Sequence, residues 1–133
     1  MTNQPIEIFL KSPAFAVIGA SSNRAKYGNK VLRCYLQHDK TVYPVNPHES
    51  IIEGLPVLRS INELPDSVRS ISIITPPSVT ETIVTEAVKK GIKNIWMQPG
   101  AESDLAVQFC LDHKLNVIYG GPCILVAMGY KES

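Results

Sequence analysis

Short apolar runs alternate with longer amphipathic segments along most of this chain. The apolar runs are rich in β-branched and aromatic residues and end at glycine, proline or polar residues, which predicts buried strands. Five strands are predicted, over residues 15–18, 41–45, 70–75, 93–97 and 115–119.

The amphipathic segments between these runs carry apolar residues at helical spacing. They predict helices over 28–37, 78–90 and 102–114, with a short helix over 5–11 and one helical turn near 60–64. Ser78 and Glu81 form the pattern of a capping box at the start of the second helix. Gly91 follows Lys90 and predicts its C-terminal cap.

Strands that alternate with helices at this spacing predict an α/β fold, with a mainly parallel sheet of five to six strands and helices on both faces. The 133 residues suffice for one domain with a hydrophobic core, so we expect a single domain over 1–133. In such a sheet, ligands bind beyond the carboxyl ends of the strands, where the winding reverses.

The loop after the first predicted strand has the composition of a phosphate-binding loop. Gly19 permits a tight turn, Ser21 and Ser22 supply hydroxyl groups, and Gly28 opens the following helix. Arg24 and Lys26 add two positive charges. Backbone N–H groups and a helix N-terminus that converge on one point suit a phosphate. The alternative is an ordinary connection with two solvated cations.

The end of the second strand argues against a nicotinamide dinucleotide. The dinucleotide fingerprint has a second glycine where this chain has Ser21, and an acidic residue about 20 positions later. Here Asn46 stands between Pro44 and Pro47. The two prolines form a stiff surface that suits an adenine, or they form only a rigid turn.

Three further strand ends carry candidate residues. Thr75, Pro76 and Pro77 end the third strand and either wall a pocket or only stop the strand. Gln98 ends the fourth strand, where its amide either contacts a ligand or pins a neighbouring loop. Cys123 follows the last strand as a packed thiol, a nucleophile or a redox thiol. Trp96 is predicted to be a core residue.

Composition narrows the function. The net charge of +1 gives no basic field for nucleic acid, and no run is long enough to span a membrane. The first residues lack the pattern of a signal peptide, and three widely spaced cysteines fit a reducing compartment, so we expect a cytoplasmic protein. The cysteines and histidines lack metal-ligand spacing, so no metal is expected.

The motifs together resemble a known family. Val17-Ile-Gly-Ala-Ser21, Val45-Asn-Pro47, Thr75-Pro-Pro77, Trp96-Met-Gln98 with Gly100, and Cys123 occur in the order and at the spacing of stand-alone CoA-binding domain proteins. These are Rossmann-like domains, similar to the N-terminal domain of the succinyl-CoA synthetase alpha subunit. The resemblance covers roughly residues 6–128.

The resemblance implies where coenzyme A would lie. Its diphosphate would meet the first loop, its adenine would lie near the end of the second strand, and its pantetheine arm would run past the third strand toward Gln98. The implied contacts are Gly19, Ala20, Ser21, Ser22, Arg24, Lys26, Tyr27, Gly28, Val45, Asn46, Pro47, Thr75, Pro76, Pro77 and Gln98. Many members carry an acidic residue at the position of Gly121, and Phe-Arg in place of Thr75-Pro76.

The sequence therefore predicts a module that binds coenzyme A or an acyl-CoA and carries, senses or presents it without catalysis of its own. The phosphorylated histidine and the ligase machinery of the synthetase belong to its later domains, so the resemblance does not lead us to expect synthetase activity. The alternatives are an enzyme that uses Cys123 or Gln98 on a CoA thioester, and a domain that responds to NAD or another nucleotide. Self-association and a protein partner are left open.

Overall fold

The five predicted strands form one parallel sheet in the computed structural model, which describes residues 4–132. They are β1 (Phe15–Ile18), β2 (Val42–Val45), β5 (Ser70–Ile73), β6 (Asn94–Met97) and β7 (Asn116–Ile118). Their spatial order is β2-β1-β5-β6-β7, and every neighbouring pair is parallel. The α/β prediction is confirmed, with five strands in the main sheet.

Five helices lie among the described residues. They are α1 (Gln4–Leu10), α2 (Tyr27–Gln37), α3 (Pro77–Lys90), α4 (Asp104–Asp112) and α5 (Ile124–Met128), and a 3-10 turn occupies Ile61–Glu63. The predicted helices are each present with shifted ends. Of the residues described, none belongs to a helix long and apolar enough to cross a bilayer.

The predicted capping box is wrong. Helix α3 begins at Pro77, one residue before Ser78, and its N-cap Pro76 makes no side-chain hydrogen bond. Proline suits the first helical position because its fixed φ matches the helix and its missing N–H would have had no partner there. The Thr80 hydroxyl instead bonds the Pro76 carbonyl oxygen at 3.2 Å. Gly91 ends the helix in the left-handed conformation, as predicted.

The sheet carries a hydrophobic core on each face. Alternate side chains of β1 divide between them, with Ala16 and Ile18 on the face covered by α3 and α4, and Phe15 and Val17 on the other. Trp96 lies in the second core, fully buried, which confirms the prediction for it. Its indole N–H donates to the Pro122 carbonyl oxygen at 3.0 Å and so anchors the segment before α5.

Two elements were not predicted from the sequence. Strands β3 (Ile51–Ile52) and β4 (Leu55–Pro56) form a small antiparallel hairpin after β2, and α5 follows the last strand. The hairpin turns at Glu53 and Gly54, both with positive φ. Its two-residue strands are too short to show an alternating pattern.

Candidate functional site

The winding of the sheet reverses between β1 and β5, which are adjacent and parallel. The loops that follow these two strands therefore meet at one edge of the sheet. A Cβ added to Gly19 would lie 3.2 Å from the Ile74 carbonyl carbon, so the two chains are in close contact there. This is the edge at which doubly wound sheets bind ligands.

A polar pocket of about 330 Å³ lies over the end of β1. It brings together most of the first predicted loop and one residue from the end of β2. The pocket is lined by Gly19, Ala20, Ser21, Lys26, Tyr27, Gly28, Asn46, Glu49 and Ile74. Helix α2 starts at this pocket, and its N-cap Lys26 makes no side-chain hydrogen bond. The first N–H groups of α2 therefore have no capping side chain, although the Asn29 N–H donates to the Lys26 carbonyl oxygen at 3.1 Å.

Close packing fixes the start of α2 against the loop. A Cβ at Gly28 would overlap the Gly19 carbonyl oxygen and lie 3.2 Å from the Gly19 carbonyl carbon. Gly19 itself has a φ of +97°, a conformation that side chains disfavour. The two glycines thus allow the loop and the helix to approach to backbone contact.

Internal hydrogen bonds shape the remainder of the loop. The Asn23 N–H donates to Ser21 Oγ at 3.1 Å, and the Ala25 N–H donates to Asn23 Oδ1 at 3.0 Å. These short-range bonds satisfy loop N–H groups that would otherwise need water or a ligand.

Two buried side chains of α2, missed by the sequence reasoning, hold the loop from behind. Asn29 donates through Nδ2 to the Ser21 carbonyl oxygen at 2.9 Å, and its Oδ1 accepts from Arg33 Nε at 2.7 Å. The Arg33 Nη2 group donates to the Arg24 carbonyl oxygen at 3.0 Å. Both side chains are buried, so they position the loop and do not line the pocket. The sequence signal that identifies Asn29 and Arg33 is a pair of polar residues four positions apart on an apolar helix face.

Two carboxylates also meet the loop, and the sequence reasoning missed both. Glu49 Oε2 accepts the Ser22 N–H at 3.1 Å, and Glu53 Oε1 lies 3.5 Å from Arg24 Nη1. Hydrogen bonding from Ser22 holds the pKa of Glu49 below its usual value. Glu53 lies at the turn of the hairpin and Glu49 in the turn before it. The sequence pattern did not reveal either approach to the loop.

Asn46 ties the second strand end to the first loop. Its Nδ2 donates to the Ala20 carbonyl oxygen at 2.8 Å, while its Oδ1 accepts from the His48 N–H at 2.7 Å. The residue lines the polar pocket and also fixes the turn that presents Glu49. Its flanking residues differ, because Val45 is buried and Pro47 is exposed.

An apolar pocket of about 520 Å³ continues from the polar one toward β6 and α5. The two pockets share Tyr27 and Ile74. Thr75 and Pro76 from the end of β5 line it, as the sequence predicts for a pocket wall. The complete lining is Tyr27, Ile74, Thr75, Pro76, Pro99, Gly100, Ala101 and Cys123.

Three polar side chains meet at the inner wall of the apolar pocket. The Tyr27 hydroxyl donates to Gln98 Oε1 at 3.1 Å and also contacts Cys123 Sγ. The Ile124 N–H donates to the same Gln98 oxygen at 3.0 Å. Because Tyr27 has one proton and gives it to Gln98, the Cys123 thiol donates to the Tyr27 oxygen.

Gln98 is fully buried, and its Nε2 group has no hydrogen-bond partner among the described residues. Its amide joins Tyr27 to the start of α5, which is the pinning role that the sequence left as an alternative. Burial raises the pKa of Tyr27. Tyr27 is therefore a neutral hydrogen-bonding group at physiological pH.

The structure thus brings ten of the sequence-predicted site residues to the two pockets. They are Gly19, Ala20, Ser21, Lys26, Tyr27, Gly28, Asn46, Thr75, Pro76 and Cys123. Ser22, Arg24, Val45, Pro47, Pro77 and Gln98 are adjacent in the chain or in space but line neither pocket. Within residues 4–132, no group of three His, Cys, Asp or Glu side chains is arranged to hold a metal ion.

Comparison with protein families gives a match over nearly the whole chain. A model described as a CoA binding domain matches residues 13–129. The alpha subunit of ADP-forming acetate–CoA ligase II from Pyrococcus furiosus is 30% identical over 91 residues, which cover 68% of this chain and 20% of that subunit. The ADP-forming acetate–CoA ligase of Methanocaldococcus jannaschii is 30% identical over 103 residues, which cover 77% of this chain and 14% of that enzyme. The chain spans a fifth or less of these curated relatives.

Solved structures of similar length share the fold. A conserved hypothetical protein from Pyrococcus furiosus superposes with a TM-score of 0.82 at 42% identity, covering 86% of this chain and 97% of that one. A hypothetical protein from Pyrococcus horikoshii superposes with a TM-score of 0.87 at 27% identity, covering 95% of this chain and 89% of that one.

Proposed function

Since this chain belongs to the family of CoA binding domains, we propose that it binds coenzyme A across the reversal point of the sheet. The observation that carries the proposal is the adjacency of the polar and apolar pockets, which share Tyr27 and Ile74. Coenzyme A has the same division, with a charged diphosphate at one end and a mostly uncharged pantetheine arm at the other.

The polar pocket supplies the groups that a diphosphate needs. The first turn of α2 offers uncapped N–H groups, and Lys26 adds a positive charge at the rim. Arg24 is less available, because Glu53 lies 3.5 Å from its guanidinium group. We therefore expect Lys26 to contribute more than Arg24 to the affinity for the phosphates.

The apolar pocket suits the pantetheine arm. Proline and alanine surfaces supply apolar contact, and the Thr75 hydroxyl and the neutral Tyr27 hydroxyl supply hydrogen bonds without charge. Gln98 contributes through Tyr27, whose hydroxyl it holds in place. The thiol end of the arm would then approach Cys123.

Calorimetric titration with coenzyme A tests the proposal, with ADP and NAD as comparison ligands. Lys26→Ala is expected to weaken coenzyme A binding about fivefold, equivalent to about 1 kcal/mol. Arg24→Ala is expected to have a smaller effect, and Lys89→Ala, on exposed α3, is the charge-matched control. Absence of coenzyme A binding to the wild-type protein would overturn the proposal.

We propose that the module carries or presents its ligand and performs no reaction of its own. No Lys, Arg or His lines the apolar pocket beside Cys123, so this pocket offers no neighbouring base or cation that would activate the thiol. The second candidate, a Cys123-dependent enzyme acting on a CoA thioester, is favoured by the position of this thiol at the pocket wall. Rapid alkylation of Cys123 at neutral pH would support the enzyme and contradict the carrier.

A further inference from the structure

The polar pocket contains an anion of its own. Glu49 Oε2 accepts the Ser22 N–H at 3.1 Å, and Glu49 lines the same pocket as Lys26 and the start of α2. A carboxylate that accepts a loop N–H uses the type of donor that a phosphate oxygen uses. The free pocket is therefore already partly neutralised by the protein itself.

The turn after β2 fixes Glu49 in this position. Asn46 Oδ1 accepts from the His48 N–H at 2.7 Å and from the Glu49 N–H at 3.3 Å, while Asn46 Nδ2 holds the Ala20 carbonyl oxygen. One side chain thus positions both the first loop and the backbone of Glu49. Both the hydroxyl and the N–H of Ser22 stabilise the Glu49 carboxylate, and the positive charge of Lys26 adds to this.

From this geometry we propose that Glu49 is an internal competitor for phosphate, a carboxylate that an incoming diphosphate must displace from the Ser22 N–H. The inference rests on the proposed binding of coenzyme A and assigns Glu49 the role of setting its affinity. Binding then exchanges one anion for another at the same donor. Glu49 is a positioning and specificity residue that weakens the binding of any ligand whose phosphate uses Ser22.

The exchange has a further consequence for ligand choice. A ligand must offer enough negative charge near Lys26 and α2 to outcompete a tethered carboxylate, so a single phosphate competes less well than a diphosphate. The carboxylate therefore discriminates against abundant small anions that could otherwise occupy an open phosphate site. It lowers affinity and raises selectivity at the same time.

The test compares Glu49→Gln with wild type in calorimetric titrations with coenzyme A. Glutamine retains an oxygen that can accept the Ser22 N–H but removes the charge. We expect Glu49→Gln to tighten coenzyme A binding about three- to tenfold at low ionic strength, and less at high salt. Glu86→Gln, a glutamate in the distal half of α3, removes the same charge away from the pocket and is expected to change affinity less than twofold.

Titration with inorganic phosphate tests whether Glu49 keeps small anions out of the polar pocket. Wild type is expected to show no saturable phosphate binding at millimolar concentration, while Glu49→Gln gains it. The amide resonance of Ser22 gives a direct readout of the contact. In the free wild-type protein it should shift with the ionisation of Glu49, and the shift should vanish in Glu49→Gln and on saturation with coenzyme A.

The outcomes separate the inference from the proposed function. Tighter binding by Glu49→Gln with an unchanged Glu86→Gln supports the competitor role. Unchanged or weaker coenzyme A binding by Glu49→Gln overturns the competitor role and leaves coenzyme A binding intact. Equal tightening by both variants would show that the effect comes from net charge alone, and this result also overturns the competitor role. Failure of wild type and both variants to bind coenzyme A overturns the proposed function.

Discussion

The polar and apolar halves of the crevice are built in different ways. The polar half is mostly backbone, formed by two glycines in contact, a self-bonded loop and the first turn of α2. The apolar half is mostly side chain, formed by prolines, an alanine and the Tyr27–Cys123 contact. A pocket built from close backbone contacts tolerates few substitutions, whereas substitution of the side chains that line a pocket can change its size.

This difference between the two halves indicates which of them can determine ligand specificity. A diphosphate is common to many nucleotides, so in the proposed binding mode the backbone half would recognise a class of ligand. The side-chain half would meet the part of the ligand that distinguishes coenzyme A from ADP or NAD. Variants that disrupt the backbone contacts of the first half should weaken binding of all diphosphates, and variants in the second should change which ligand is preferred.

The most severe test of the backbone half is Gly28→Ala. The new Cβ would overlap the Gly19 carbonyl oxygen, so α2 or the loop must move. We expect a loss of about 3 kcal/mol in the free energy of unfolding and loss of coenzyme A binding. Urea unfolding and calorimetry measure the two effects.

Gly100→Ala is the matched control in the apolar half. Its φ is +95°, but no atom lies within 4 Å of the added Cβ, so only backbone strain is introduced. The expected loss in the free energy of unfolding is about 1 kcal/mol. Equal losses for the two variants would contradict the backbone-contact account of the polar half.

The next largest effect is expected from Asn29→Ala, which removes support behind the polar half. Arg33 Nε loses its 2.7 Å acceptor and the Ser21 carbonyl oxygen loses its donor, both in buried surroundings. We expect a loss of about 2 kcal/mol in stability and weaker binding of coenzyme A and ADP alike. Asn62→Ala, at an exposed position on the 3-10 turn, should leave both unchanged. Wild-type affinity in a folded Asn29→Ala protein would show that the loop needs no such support.

A smaller effect is expected from Tyr27→Phe, which keeps the ring shared by the two halves and removes the hydroxyl. Gln98 Oε1 then keeps only the Ile124 N–H, and Cys123 loses its acceptor. We expect a loss of about 1 kcal/mol in stability, weaker coenzyme A binding and unchanged ADP binding. Tyr119→Phe, at an exposed position, is the control. Equal weakening of both ligands would place the hydroxyl in the diphosphate site.

The smallest effect concerns thiol reactivity and leaves the fold intact. Burial raises the pKa of Cys34 and of Cys110 to about 11. Since the thiolate is the reactive form, these two thiols become reactive only as pH rises toward that value. At pH 8 a disulfide reagent should titrate one thiol, Cys123, in the native protein and three in denaturant. Two or more reactive thiols in the native protein would contradict the burial of Cys34 and Cys110.

Sequence patterns predicted the sheet well because most strand residues are apolar and the adjacent strands β1 and β5 are buried on both faces. The first loop was also predictable, since Gly19 and Gly28 punctuate a strand and a helix at a known spacing. The capping box failed because Pro77 can occupy the first helical position, and the pattern of Ser78 and Glu81 could not exclude that earlier start.

The carboxylates were unpredictable for a different reason. Glu49 lies in the turn after β2 and Glu53 in the hairpin that follows, and only tertiary folding brings that segment against the first loop. The end of β2 carries no acid, which argues against a nicotinamide dinucleotide, yet Glu49 reaches the polar pocket from three residues beyond Asn46. Spacing along the chain does not reveal such an approach.

The contact between Tyr27 and Cys123 joins residues 96 positions apart in the chain. During synthesis, the polar half can form early, but the inner wall cannot close until α5 has left the ribosome and Ile124 has met Gln98. A ligand that fills both halves therefore binds only the finished chain. Its binding would favour the complete fold over any state in which the last helix is detached, so coenzyme A would protect the C-terminal segment from proteases.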